Sequence, residues 1–366
     1  MSIADQAPAY IRAISPYQPG KPISELAREM GLVEASIVKL ASNENPLGIG
    51  PRAKEALARA VQELARYPDG NGFALKAALS ERTGVPMGGI VLGNGSNDVL
   101  ELVARTFLRP GAEAVFSQHA FAVYPLATMA VGARPVVVPA RDFGHDLDAM
   151  ATAVTDKTGV VFIANPNNPT GTFLPGPQIE AFLEKIPERV LVVLDEAYTE
   201  YLPDADRYDA IGWLARFPNL LVSRTFSKAY GLAGLRVGYG LGHPSVIDLL
   251  NRVRQPFNVN SLALAAATAA LGDDEFLAKS AELNRRGMRQ LTAAFEAMSL
   301  AWIPSWGNFV TFKVGDGDAV HRKLLAQGVI VRPIGGYGMP EWLRVSIGLP
   351  EENARFIDAL KQALAG

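Results

Sequence analysis

The 366-residue sequence predicts an α/β fold: a large domain built on a mostly parallel sheet, and a smaller α+β domain. Three observations predict it. Short apolar runs alternate with amphipathic helical patterns through the first two-thirds of the chain. Several of these runs are apolar throughout, as strands covered on both faces are, instead of alternating with polar residues. After about Pro256 the pattern changes to long Ala/Leu-rich helices and then to a shorter alternation of strands and helices.

In chain order, Ala53, Ala56, Leu57, Ala60, Val61 and Leu64 recur at helical spacing behind Pro51, so 51–65 predicts an amphipathic helix. Strands are predicted at Ile90–Leu92, Ala114–Phe116, Pro135–Val138, Val160–Ala164, Val190–Leu194, Leu220–Ser223 and Val237–Leu241. Helical patterns, including 97–108, lie between most of them. Beyond Pro256, helices through 261–299, strands at Asn308–Phe312, Val329–Val331 and Leu343–Ile347, and helices at 318–326 and 351–364 make the second unit. The first 45 residues hold a strand-like Ile37–Leu40 and have no clear place in the parallel sheet. The expected division is 46–256 for the large domain, with 1–45 and 257–366 forming an N-terminal arm and small domain.

Composition excludes several classes. A net charge of −2 gives no electrostatic ground for binding nucleic acid or an anionic membrane. No apolar run approaches the roughly 20 residues that span a bilayer. Met1–Gly20 lacks a basic start followed by an apolar block, so it does not read as a signal peptide. Without cysteine there is no disulfide, thiolate nucleophile or thiolate metal site, which fits a reducing cytoplasm. His119, His145, His243 and His321 are scattered without metal-ligand spacing, so no metal site is expected and they read as ordinary surface or loop residues.

The most informative stretch is Thr225-Phe226-Ser227-Lys228-Ala229-Tyr230-Gly231-Leu232-Ala233-Gly234-Leu235-Arg236. A lone lysine in a Ser/Gly-rich loop is usually solvated. Here small neighbours leave room for a bulky ring, and Thr225, Ser227 and Arg236 suit a phosphate. The apolar run Val190–Leu194 ends in Asp195, with Tyr198 close behind. Together these meet the demands of pyridoxal 5'-phosphate (PLP). A lysine amine holds the cofactor aldehyde, an aspartate keeps the pyridine nitrogen protonated, and hydroxyls with an arginine hold the phosphate. Asp195 taken alone would read as a turn cap. Asn165-Pro166-Asn167-Asn168-Pro169-Thr170-Gly171 is ordinary turn chemistry whose rigidity also suits presenting Asn168 to the ring oxygen. Gly93-Asn94-Gly95-Ser96-Asn97-Asp98 is no dinucleotide fingerprint, and reads equally as a simple N-cap or a phosphate site at a helix start. Ser36-Ile37-Val38-Lys39, Ser96-Asn97-Asp98 and Lys157-Thr158-Gly159 follow the motif order of penicillin-binding serine enzymes, but the middle motif is permuted and Ser36 precedes a strand.

The chain resembles the histidinol-phosphate aminotransferases of the fold-type I PLP superfamily. The likeness runs through Ser15-Pro16-Tyr17, Ala41-Ser42-Asn43-Glu44-Asn45-Pro46, Tyr67-Pro68-Asp69-Gly70, the Asn-Pro-Asn-Asn-Pro-Thr-Gly loop, Asp195-Glu196-Ala197-Tyr198, the Lys228 segment, Asn308-Phe309 and Leu343-Arg344-Val345-Ser346-Ile347-Gly348. Aromatic aminotransferases and threonine-phosphate decarboxylases share most of these motifs. The resemblance implies that Lys228 binds the cofactor covalently and shuttles the proton, and that Asp195 pairs with the pyridine nitrogen. Asn168 and Tyr198 would meet the ring oxygen, and Ser96, Asn97, Thr225, Ser227 and Arg236 the cofactor phosphate. Phe121 falls where the family has a stacking tyrosine, which keeps the stack and loses a hydroxyl. Tyr67 would reach the phosphate from the other subunit of a homodimer with shared active sites. Arg344 would grip the glutamate carboxylate, and Arg332 and Tyr17 the phosphate of the imidazole substrate, with Asn43 also on the substrate side. The implied reaction passes an amino group from glutamate to imidazole-acetol phosphate, giving 2-oxoglutarate and histidinol phosphate. The alternative acceptors are aromatic 2-oxo acids.

Overall fold

The computed structural model describes residues 2–365. Its strands, in chain order, are β1 Val38–Lys39, β2 Ile90–Gly93, β3 Glu113–Ser117, β4 Arg134–Val138, β5 Thr158–Ala164, β6 Leu191–Asp195, β7 Leu220–Thr225, β8 Gly238–Gly242, β9 Trp302–Ile303, β10 Phe309–Lys313, β11 Val329–Ile330, β12 Arg332–Pro333 and β13 Trp342–Ser346. Seven of them form one sheet in the order β2-β8-β7-β6-β5-β3-β4. All seven strand expectations fall in this sheet, with no end moved by more than two residues.

The central strands are apolar throughout because both faces are covered. In β6, Val192 and Leu194 point into one core with Val161, Ile163 and Val222. Leu191 and Val193 point into the other with Val160, Phe162 and Leu221. Each fully buried side chain of this kind contributes roughly 1.5–3 kcal/mol. Strands β3 to β7 run parallel, but β8 lies antiparallel between β2 and β7. Apolar periodicity carries no direction. Between β7 and β8 the chain holds only a short 3-10 turn at Ala233–Leu235, and without a crossover helix it returns antiparallel. Lys228 sits in that return.

The predicted helix 51–65 is α-helical over Pro51–Ala60 and tightens to a 3-10 turn at Val61–Glu63. The helix Ser261–Ala270, expected with the small domain, buries Ala263, Ala266, Ala267 and Ala270 in the large core. We therefore propose a domain boundary after about Gly272 and not at 256. Small alanine side chains let this helix lie close against Pro51–Ala60.

The second sheet runs β12-β13-β10-β9, antiparallel throughout, and two of its strands, β9 and β12, carried no sequence signal because each is two residues long. Helices Asp274–Ala297 and Pro350–Ala365 cover it around Phe295, Phe312 and Phe356. The strand-like Ile37–Leu40 appears as β1, which pairs in parallel with β11 as a separate two-stranded sheet and so ties the N-terminal segment to the second unit. No helix among the described residues is long and apolar enough to cross a membrane.

Two histidines depart from the surface expectation. His119 and His145 are buried. The His145 Nε2 lies 2.8 Å from the Ala164 carbonyl, and desolvation pushes its imidazole down to about 4, so it is neutral. His119 Nδ1 lies 2.8 Å from the Tyr337 carbonyl. Both rings fold against backbone ends of the site loops, which scattered sequence positions do not reveal.

Gly238 opens β8 opposite Gly93 and Thr225. A methyl group there would collide with the backbone nitrogen of Ser96, where the next helix begins. Gly238→Ala is expected to lower stability by about 1–3 kcal/mol through overpacking, read as a drop in thermal midpoint. An unchanged midpoint would show that the helix start yields without cost.

Candidate active site

The C-terminal ends of β5, β6 and β7 point the same way, as strand ends do in a parallel sheet, and ligands gather there. Asp195 is the last residue of β6, the Asn165–Gly171 loop follows β5, and Ser227 and Lys228 follow β7. These meet around a cavity of about 370 Å³, within the range of small-molecule sites. Of the residues singled out above, all but Tyr67 line it. A wider cleft of about 800 Å³ lies between 141–148 and Trp302–Trp306, and none of the residues assigned above to the cofactor or substrate lines it.

At the floor, Asp195 is 4% exposed, and its Oδ1 is buried without a hydrogen-bond partner. The adjacent carboxylate, Glu196, is held by Arg224, whose Nε and Nη2 donate at 2.9 and 2.7 Å. Among the described residues Asp195 has no such cation. Burial pushes its carboxyl up to about 6, against the hydrogen bond that Tyr124 donates at 2.9 Å. A buried carboxylate with one open oxygen complements a protonated ring nitrogen.

Lys228 Nζ donates to the Ser42 carbonyl at 3.1 Å. Desolvation, then the Arg344 charge, pushes its amine down to about 8. A lysine of that kind spends an appreciable fraction of its time as a free base near neutrality.

An anion corner lies beside it. The helix Ser96–Phe107 begins at the cavity wall with Ser96 and Asn97, its positive dipole end inward. Arg236 takes a left-handed backbone conformation and donates through Nη1 to the Ala233 carbonyl at 2.9 Å, with Ser227 Oγ at 3.4 Å. Any side chain at Gly95 would collide with this guanidinium. Thr225 Oγ1 accepts from the Ser227 backbone. Phe121 offers a flat apolar wall.

Two asparagines of the Asn165–Gly171 loop are engaged by protein partners. Asn165 bonds Leu174 and the Tyr208 hydroxyl, and Asn167 bonds the His119 carbonyl and Thr170. Asn168 alone enters the cavity, where its Oδ1 accepts from Arg344 Nη1, leaving its NH2 to donate. Burial pushes the Tyr198 phenol up to about 12, and its oxygen accepts from Asn43 Nδ2 at 3.0 Å. Asn43 Oδ1 in turn accepts from Ser346 Oγ at 2.9 Å. Asn43 thus braces Tyr198 and retains only one amide N–H for a ligand.

Arg332 and Arg344 face each other across β12 and β13, which sets both guanidiniums on one side of the sheet. Arg344 is buried, held by the Ala41 carbonyl at 2.7 Å, with Nε unpartnered; desolvation lowers its pKa. Arg332 lies over the Tyr17 ring at 5.4 Å and donates to the Gln18 carbonyl at 2.7 Å. Tyr67 stands apart, 83% exposed and stacked on Phe257 at 4.8 Å. Two residues escaped the sequence reading. Tyr337 lines the cavity from the Gly335–Gly338 turn, and Tyr124 reaches Asp195 from behind. Neither lies in a motif that names its role.

These donors fit PLP: an open buried carboxylate oxygen for a pyridinium, a lysine of depressed pKa, and an anion corner at a helix start beside an arginine. The comparisons agree. Residues 35–360 match the aminotransferase class I and II family. The chain is 65% identical to histidinol-phosphate aminotransferase 1 of Thiobacillus denitrificans, covering 99% of this chain and 94% of that one. It is 63% identical to histidinol-phosphate aminotransferase 1 of Dechloromonas aromatica, covering both in full. Its fold superposes on the histidinol-phosphate aminotransferase of Sinorhizobium meliloti in complex with pyridoxal-5'-phosphate with a TM-score of 0.90, at 30% identity, covering 98% of this chain and 97% of that one. The chain belongs to the class I and II aminotransferases, and among them to the histidinol-phosphate aminotransferase family.

Proposed function

We propose that the protein transfers an amino group between histidinol phosphate and 2-oxoglutarate, with PLP as cofactor. One observation carries this reading: Lys228, Asp195 and Arg236 share a cavity with two guanidiniums, Arg332 and Arg344, set on adjacent strands. A phosphate monoester brings close to two negative charges, and glutamate brings two carboxylates. An aromatic 2-oxo acid brings one. Paired guanidiniums answer the first two substrates better.

PLP supplies the electron sink for the carbanion formed beside the amino group. Asp195 Oδ1 holds the proton on the ring nitrogen. Arg236, Ser227, Thr225, Ser96 and Asn97 would hold the phosphate, and Phe121 would offer the ring an apolar wall. Asn168 and Tyr198 would donate to the ring oxygen. Lys228 Nζ accepts the substrate's α-proton and returns it, as general base and acid. Arg344 orients the substrate carboxylate, and Arg332 with Tyr17 binds the phosphate. Tyr337 narrows the mouth against water.

We also propose a homodimer. Tyr67, Phe73 and Phe257 form an exposed apolar surface beside Val61 and Leu64, more than a solvated face needs. A second copy covering it would place Tyr67 at the partner's cavity.

The substrate assignment is tested by kcat/KM for histidinol phosphate, tyrosine and phenylalanine side by side. Arg332→Ala should lower the histidinol phosphate value roughly ten- to a hundredfold, the worth of one charge-assisted hydrogen bond, and the phenylalanine value far less. Equal losses would contradict a phosphate role. Negligible wild-type activity on histidinol phosphate with brisk activity on phenylalanine would make the protein an aromatic aminotransferase.

Asp195 gives a pH signature. In the cofactor-free protein its carboxyl sits near 6, above the unfolded value of 3.8. Between these values the folded state holds a proton that the unfolded chain has lost, so stability falls as pH rises through the window. The cost at about pH 8 is on the order of 3 kcal/mol. Cofactor-free Asp195→Asn should therefore melt higher than wild type at about pH 8 and alike near pH 4, while losing most transamination. A lower melting point at pH 8 would contradict the buried, strained carboxylate.

Shared sites predict complementation. Tyr67→Phe, if impaired alone, and Lys228→Ala subunits mixed together should form heterodimers with one site carrying both changes and one intact. Activity should recover toward a quarter of wild type, because about half of the randomly mixed dimers are hybrids with one working site of two. No recovery would assign Tyr67 to its own subunit's site.

A further inference from the structure

One buried group beside the site has no part in the mechanism above. Tyr124 lies on the helix Val123–Ala130, fully buried and outside the cavity. Its ring stacks on Phe162 of β5, with centroids 4.8 Å apart and planes 6° apart. It meets the Phe121 ring edge-on at 5.9 Å and 86°. A third ring, Phe116, leans on it at 6.4 Å. Three aromatic neighbours leave the phenol one direction, and its hydroxyl donates to Asp195 Oδ2 at 2.9 Å.

A carboxylate has two oxygens and one torsion, so fixing one oxygen aims the other. With Oδ2 held, Oδ1 is the open, buried atom. We propose that Tyr124 is a positioning residue of the reaction, clamping the Asp195 carboxylate so that Oδ1 faces the ring nitrogen of PLP. The inference rests on the reading of Asp195 given above. It also explains the spacing of Phe121 and Tyr124. The wall that packs the ring and the hydroxyl that aims the carboxylate stand one turn apart, on a single segment held by Phe162.

The charges around Asp195 show what the clamp opposes. Burial favours the protonated acid most strongly, and the Glu196 carboxylate beside it on β6 adds to that. Lys228, from the loop after β7, favours the ionised form, and the Tyr124 hydroxyl favours it more than Lys228 does. The Tyr198 phenol, just beyond the end of β6, is held protonated by burial and adds no charge. Loss of the hydroxyl therefore moves the carboxyl upward and frees its torsion.

Tyr124→Phe keeps the stacked ring and removes the donor. In the holoenzyme it should lower kcat roughly ten- to a hundredfold, with KM for glutamate moving less than about threefold. The PLP dissociation constant should rise about tenfold, and the acid limb of the kcat profile should move up by about one pH unit. Phe162→Leu loosens the packing and leaves the hydroxyl in place, so it should lower the thermal midpoint without moving the acid limb. In an Asp195→Asn background the added Tyr124→Phe change should alter the PLP dissociation constant less than about twofold, since coupled residues are not additive.

A folded Tyr124→Phe enzyme with an unmoved acid limb and unchanged PLP dissociation would overturn the clamp. So would full additivity in the double variant, or an acid limb that moves equally in Phe162→Leu. If Tyr124→Phe does not fold, 3-fluorotyrosine at position 124 keeps the shape and strengthens the donor. It should move the acid limb down, and an unmoved limb would count against the clamp. Near-normal turnover and PLP retention in Asp195→Asn alone would instead remove Asp195 from the ring nitrogen, and the present inference would fall with it.

Discussion

An ionised carboxylate at the buried end of β6 is the constraint around which the site is arranged. Asp195 stands in a sheet covered on both faces, where charge is costly. The protein neutralises its neighbour, Glu196, with Arg224 and gives Asp195 a phenol hydroxyl in place of a cation. That leaves a buried carboxylate oxygen without a partner, the position we propose for the pyridinium of the cofactor. On the proposed reading, binding PLP would do two things at once: relieve a buried charge and supply the electronics that transamination requires.

The remaining cofactor residues follow from the geometry of a parallel sheet. Chain segments leaving β5, β6 and β7 emerge side by side, so residues distant in sequence reach one cavity. The β7–β8 return carries Lys228 and Arg236 in one short stretch, because the chain turns back directly without a crossover helix. In the Asn165–Gly171 loop, Asn165 and Asn167 bond to protein partners, and of the three asparagines only Asn168 lines the cavity. The helix start at Ser96 completes the anion corner, pinned against Gly238 by backbone approach that a Cβ would prevent.

The residues proposed for substrate recognition come from the other sheet. Arg332 and Arg344 are register partners on β12 and β13, and the N-terminal arm brings Tyr17 over Arg332. Asn43 and Ser346 join the same layer to Tyr198. In the proposed assignment, cofactor chemistry rests on the large sheet and substrate-anion recognition on the small one.

The sequence by itself determined the strands of the large sheet, because burial on both faces writes continuous apolar runs. It also placed Lys228, Asp195, Asn168 and Arg236 in segments whose residue types match the demands of one cofactor, since those demands act on local chemistry. Tertiary structure decided what local pattern does not encode. It set the direction of β8, which depends on the absence of a crossover helix, and the two-residue strands β9 and β12, too short for any periodicity. It placed the helix Ser261–Ala270 in the large core, because its alanines fit closely against a helix two hundred residues earlier. It buried His119 and His145 against loop carbonyls. Above all it brought Tyr124 to Asp195, across 71 residues of chain. A tyrosine among apolar neighbours reads in sequence as core, and only the packing of three rings around it shows where its hydroxyl must point.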